Sequence, residues 1–79
     1  MTNIYKNLIE QSDACCLRAA EHTVKAARAG TKLYEPAEQH NWDLNRAREI
    51  THMKAAIRLM RYADRAMASA AGMIAGGEA

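Results

Sequence analysis

The sequence contains few of the residues that interrupt helices or fill large cores. Its 79 residues include one proline, four glycines and one tryptophan, and phenylalanine is missing. No apolar run approaches the roughly 20 residues that cross a bilayer, and no basic segment followed by an apolar core stands after Met1, as it would in a secretory signal. We therefore expect a small helical protein that stays in the cytoplasm and does not enter a membrane.

Motifs of catalysis and of metal binding are missing too. The chain has no HExxH, no CxxC, no GxSxG and no glycine-rich phosphate loop. Cys15 and Cys16 are adjacent, and neighbours on a helix point too far apart to form an ordinary disulfide. Cys15 and His22 can share a helix face, but their spacing matches no metal-ligand motif. We expect no enzyme activity, cofactor or metal, and we interpret the cysteines as small apolar residues, with Cys16 the more buried.

The second half of the chain carries two apolar seams with heptad spacing. The first consists of Ile50, Met53, Ile57, Met60, Asp64, Met67, Ala71 and Ile74. The second is built mostly from small residues, namely His52, Ala56, Leu59, Ala63, Ala66, Ala70 and Met73. Together they cover more of a helix than one neighbouring helix can bury. This helix therefore needs two partners.

The first half predicts an amphipathic helix over about 4–29, with Thr2 or Asn3 as N-cap and Gly30 as C-cap. Its apolar arc is small in the middle and comprises Tyr5, Leu8, Ile9, Ser12, Cys16, Ala19, Ala20, Thr23, Ala26 and Ala27. Such an arc matches the small seam of the second helix, so the two should pack closely as an antiparallel hairpin.

The second helix is expected over about 36–75, because Pro36 suits a first helical turn, and residues 76–79 should form a frayed tail. An alternative is a short turn followed by a fresh start, with Asn41 as N-cap and Asp43 in the first turn.

An all-α antiparallel hairpin of this length encloses little core, so we expect a homodimer in the form of a four-helix bundle. The predicted dimer interface is the large-residue seam, namely Ile50, Met53, Ile57, Met60, Met67 and Ile74. Asp64 interrupts this seam. It either selects register and partner, or lies at the seam edge beside Arg61 or an arginine of the partner.

Lys54, Arg58, Arg61 and Arg65 form a basic ridge on the remaining face of the second helix. The ridge is either a solvated face, a surface for an acidic protein, or a surface for DNA or RNA. The formal net charge of +2 lies far below the strong excess of positive charge in dedicated nucleic-acid binders. This favours a solvated face or a surface for an acidic protein.

Large apolar residues cluster near the predicted turn: Leu33, Tyr34, Trp42 and Leu44. They either plug the open end of the bundle or form an exposed anchor for another protein, since Tyr, Trp and Arg dominate interface hot spots. The predicted partner-binding set is therefore Tyr34, Trp42, Arg46, Lys54, Arg58, Arg61 and Arg65.

In size, helical-hairpin pattern and lack of an active-site motif, the chain resembles small phage-encoded inhibitor proteins. These include helical anti-CRISPR proteins and small phage proteins that block host regulators by direct binding. The resemblance is one of size and helical pattern over the whole chain, not of particular residues. It implies a non-enzymatic inhibitor or adaptor that binds an unidentified larger protein. The alternative is a small nucleic-acid-binding regulatory dimer that uses the basic ridge.

Overall fold

Two long α-helices and the short connection between them make up the fold. The computed structural model describes residues 3–77, in which helix α1 spans Asn3–Lys32, a 3₁₀ segment covers Pro36–Asn41, and helix α2 spans Trp42–Ala75. The helices run antiparallel and side by side, in a rod of 58 × 13 × 12 Å. The predicted all-α helical hairpin is confirmed. Within residues 3–77, neither helix is long and apolar enough to cross a membrane.

The connection differs from the continuous second helix that we favour from the sequence. Glu35 is extended (φ −84°, ψ 123°), because a residue before proline is disfavoured in the helical region, and Pro36 then opens the 3₁₀ segment. The α-helix begins only at Trp42, with Asn41 at the N-cap position. The alternative that the sequence leaves open, a turn followed by a fresh start, is therefore the correct one.

Helix α1 continues to Lys32, so the assignment of Gly30 as its C-cap is wrong. Gly30 lies inside the helix, where an added Cβ would overlap the carboxylate of Glu49 on α2. A side chain at this position would displace the Glu49 carboxylate. The end of α1 is closed by the side-chain amide of Gln39, which donates to the carbonyl oxygens of Leu33 (3.0 Å) and Glu35 (3.1 Å).

Two glycines, Gly76 and Gly77, follow the last residue of α2 and end the helix. The backbone N–H of Gly76 donates to the carbonyl of Gly72 (2.9 Å), and Gly77 has φ 74°, a left-handed conformation that side chains disfavour. Of the predicted tail 76–79, Glu78 and Ala79 lie outside the described residues. The predicted N-cap Thr2 also lies outside them.

The small seam of α2 is the one that faces α1. Its buried members are Leu59, Ala63, Ala66 and Ala70, and the buried members of α1 are Ser12, Ala19, Ala26 and Ala29. The half-buried residues Tyr5, Leu8, Cys15 and His22 complete the α1 side of the contact. Together with the buried residues, they follow one another at alternating spacings of three and four. Small side chains on both helices explain the close packing.

The apolar arc predicted for α1 is too wide, because Cys16, Ala20, Thr23 and Ala27 are exposed. The prediction that Cys16 is the more buried cysteine is also wrong. Cys15 is half-buried at the helix contact, whereas Cys16 points away from it, and both are free thiols. Neighbouring stripes of such small residues look alike on a helical wheel, so only the packing of α2 decides which stripe is covered.

Candidate interaction surfaces

One side of the hairpin is an apolar face that no part of the described chain covers. The large-residue seam of α2 lies on it, and its side chains are between 36% (Ile50) and 58% (Ile74) exposed. The six exposed members are Ile50, Met53, Ile57, Met60, Met67 and Ile74. Contiguous apolar patches of this kind mark interaction sites on soluble proteins.

Over residues 16–27 the α1 half of the same face is made of small residues. Four exposed residues of α1 each follow directly after a residue of the helix contact, and so they lie on the same side of that contact as the α2 seam. They are Cys16, Ala20, Thr23 and Ala27. The hydroxyl of Thr23 donates to the carbonyl of Ala19 (2.9 Å), so it is turned back onto its own helix. The apolar face therefore combines a ridge of large side chains on α2 with a shallow stripe on α1.

The hairpin exposes more surface than a compact protein of its mass. Its solvent-accessible area is 5714 Å². The scaling for compact monomers gives about 4,700 Å² at 8.7 kDa. The excess of about 1,000 Å² is close to the roughly 800 Å² that each partner contributes to a standard interface.

The opposite side of the hairpin is a basic face. By register it carries Arg18, Lys25, Arg28 and Lys32 of α1 and Arg48, Arg58 and Arg65 of α2, with Glu21 as the acidic residue among them. Two of the predicted ridge residues, Arg58 and Arg65, thus share a surface with cations of α1. The sequence interpretation missed this, although Arg18, Lys25 and Lys32 recur at intervals of seven.

A cleft of about 400 Å³ opens on the basic face between the helices. It is lined by Cys15, Arg18, His22, Ala55, Arg58, Leu59 and Tyr62. Tyr62 is 49% exposed, and the Arg65 guanidinium lies over its ring at 5.3 Å from the centroid. Within residues 3–77 the ion pairs are Lys6–Glu10 and Arg46–Glu49, so Arg18 and Arg58 have no anionic partner there. The cleft therefore presents two unpaired guanidinium groups beside an aromatic ring.

Two histidines link the helices, and one of them, His22, lines this cleft. The Nδ1 atoms of His22 and His52 are 2.9 Å apart, and the ring centroids are 5.1 Å apart. A hydrogen bond at this distance needs one N–H donor and one unprotonated acceptor, so at least one imidazole is neutral. The pair is a polar contact in an otherwise alanine-rich interface.

The turn end of the hairpin exposes its aromatic residues. Tyr34 is 86% exposed and Trp42 is 43% exposed, and Leu44 is 49% exposed. Tyr34 therefore does not plug the open end. Of the cluster, Leu33 is the half-buried member.

Polar contacts hold this turn in place. The Asn41 amide donates to the carboxylate of Glu38 (3.1 Å), which lowers the pKa of Glu38 below its ordinary value. The amide of Asn45 acts in the same direction, although its buried Nδ2 completes no hydrogen bond with any described residue. The Glu38 carboxylate thus stays ionised at neutral pH.

The predicted partner-binding residues fall into two groups. Tyr34, Trp42 and Arg46 lie at the turn end, whereas the ridge begins at Lys54, about 12 Å further along α2. The Arg46 guanidinium already donates to the Glu49 carboxylate. Asp64, which interrupts the large-residue seam, is exposed and forms no ion pair with Arg61 in the described part of the chain.

The chain matches no protein-family model, no curated protein and no solved structure. Among residues 3–77, no three His, Cys, Asp or Glu side chains are grouped so that they could hold a metal ion. The assignment of function therefore depends on the two faces of the hairpin.

Proposed function

We propose that this protein is a non-enzymatic protein-binding module that works as a homodimeric four-helix bundle. The observation that supports the proposal is the uncovered apolar face, whose α2 residues are a third to more than a half exposed. Isolated in water, this face would favour aggregation, so a specific partner should cover it.

A second copy of the chain suits the face because its two halves are complementary. The α2 half carries large side chains such as Ile57 and Met60, and the α1 half carries small ones such as Cys16 and Ala20. A two-fold axis parallel to the helices sets the α2 ridge of each copy over the α1 stripe of the other. Both contacts form at once, as a closed symmetric interface requires.

A larger protein would then bind to the surfaces that the dimer leaves accessible. These include the turn end with Tyr34 and Trp42, assisted by Arg46 and the ridge of Lys54, Arg58, Arg61 and Arg65. An exposed aromatic that becomes buried supplies affinity, and charged residues set the association rate. We infer that the module is a small inhibitor or adaptor of a larger cytoplasmic protein, in the format of small phage-encoded inhibitors.

Sedimentation equilibrium tests the dimer directly. Over about 1 to 100 µM, where specific dimers of standard interface size assemble, we expect a mass of twice the 8.7 kDa chain. Circular dichroism of the same samples should show a fully helical protein. A stably folded monomer at these concentrations would contradict the homodimer and would assign the apolar face to a different protein.

A further inference from the structure

The basic face has a chemistry that the dimer does not use, and it shares only Arg58 and Arg65 with the surface proposed for the larger protein. In the proposed dimer both apolar faces are buried, so each basic face stays on the outside. Between Arg48 and Arg65 the cations of this face extend about 25 Å along α2. The contribution of α1, from Arg18 to Lys32, lies beside them. Such a track favours an extended polyanion over a single small anion.

The cleft within this track brings two kinds of group together. Arg18 from α1 and Arg58 from α2 line one cleft with the ring of Tyr62, and no acidic residue lines it. Guanidinium groups bind phosphate oxygens in a bidentate manner, and exposed aromatic rings stack on nucleobases. A nucleotide unit offers both partners, a phosphate and a planar base, at adjacent positions of one chain.

We propose that the basic face binds single-stranded nucleic acid, with backbone phosphates held by Arg18 and Arg58 and a base stacked at Tyr62. The proposal adds a ligand class to the protein-binding module and does not depend on the dimer. It commits to a single strand because a base inside a duplex has both faces covered by its neighbours, whereas a base of a single strand is free to stack on Tyr62.

A second depression continues the site along the same face. It has a volume of about 460 Å³, shares Cys15 and Tyr62 with the first cleft, and is otherwise lined by residues that include Gln11, Arg65 and Ser69. Tyr62 therefore stands between two concave surfaces, with Arg65 over its ring. A strand that passes along the hairpin can place successive nucleotides in the two depressions, with one base stacked on the face of the Tyr62 ring that Arg65 leaves open.

Fluorescence anisotropy with a labelled oligonucleotide of about 12 nucleotides, within the usual site size of such surfaces, tests the proposal. We expect salt-dependent binding of the single strand that is at least about tenfold tighter than binding of the matching duplex. The double variant Arg18→Gln/Arg58→Gln should weaken binding about tenfold and lower the slope of log K against log salt by about 1.4, since two phosphate contacts are lost. Tyr62→Ala should also weaken binding about tenfold.

The matched control is Lys54→Gln/Arg61→Gln, which removes the same charge from α2 outside the cleft. Both double variants remove the same positive charge, but only Arg18→Gln/Arg58→Gln removes groups that line the cleft. The control should therefore change the affinity less than about threefold. The proposal is overturned if the two double variants weaken binding equally, if the duplex binds as tightly as the single strand, or if polyglutamate competes as well as the oligonucleotide. Negligible binding by the parent protein also overturns it.

Two further measurements keep the outcomes distinct. Circular dichroism of each variant checks that the hairpin is intact, which we expect because Arg18, Arg58 and Tyr62 are all exposed. Sedimentation of the same samples reports the dimer, which depends on the opposite face. A dimer that binds no oligonucleotide would overturn the nucleic-acid proposal alone, and a monomer that binds it would overturn the homodimer alone.

Discussion

Ile57→Asp should convert the protein from a dimer into a monomer across the micromolar range. Ile57 is 51% exposed in the hairpin and lies in the middle of the apolar face. In the dimer the new carboxylate would be buried without a partner, which costs several kcal/mol, and it would occur twice in a symmetric interface. We expect the dissociation constant, measured by sedimentation equilibrium, to rise at least about a hundredfold, equivalent to about 2.7 kcal/mol.

Helicity should fall together with the dimer at low protein concentration. A single hairpin of this size buries little apolar surface, since its core is mostly alanine, so much of its stability should come from the second copy. Circular dichroism at decreasing concentration measures this coupling.

Leu17→Asp is the matched control for Ile57→Asp. Leu17 is a large apolar residue, 64% exposed, on the outer side of α1 and away from the apolar face. Its replacement introduces the same charge, and the dimer should persist with little change in helicity. Should Ile57→Asp remain as dimeric as Leu17→Asp, the apolar face is not the dimer interface.

Ala63→Leu should strongly destabilise the hairpin itself. Ala63 is 2% exposed and lies between Leu59 and Ala66 in the seam that faces α1. A leucine there adds three carbon atoms where the helices are closest, and overpacking of this kind typically costs about 1–3 kcal/mol. For a domain of this length the corresponding fall in Tm is about 4–8 °C for each kcal/mol, so a loss of at least about 5 °C should be measurable by thermal denaturation.

Ala68→Leu makes the same substitution on the exposed side of α2. Leucine is nearly as good a helix former as alanine, so this variant should keep the parent Tm within about 2 °C. A similar Tm for both leucine variants would mean that the seam around Ala63 has room for a larger side chain, contrary to the close packing described above.

The sequence predicts much of α2 because its signals are redundant. The heptad of Ala56, Leu59, Ala63, Ala66 and Ala70 differs from the neighbouring seam in side-chain size, and size shows which seam can approach another helix closely. Boundaries are less secure. The glycine at position 30 predicts a helix end, yet α1 continues to Lys32. Local propensity is a weak guide where a tertiary contact supplies the stabilisation.

For the candidate sites, the sequence shows residue types and the structure shows which of them meet. The ridge residues Arg58 and Arg65 are visible in the spacing of α2. Their combination with Arg18 and Tyr62 in one cleft depends on the register between the helices. The register between the helices cannot be predicted from the residue pattern of either helix alone, because it depends on how the two alanine-rich surfaces pack.

The sequence by itself determines the class of fold: two amphipathic helices joined by a short connection, and one seam more than a single hairpin can bury. These properties depend on the order of residues along one helix, which repeats every 3.6 residues. The tertiary structure alone decides which stripe of α1 is covered, that Cys15 and His22 lie inside and Cys16 outside, and that His22 meets His52. Those outcomes depend on the rotation and sliding of one helix against the other, and many small contacts between both helices decide them together.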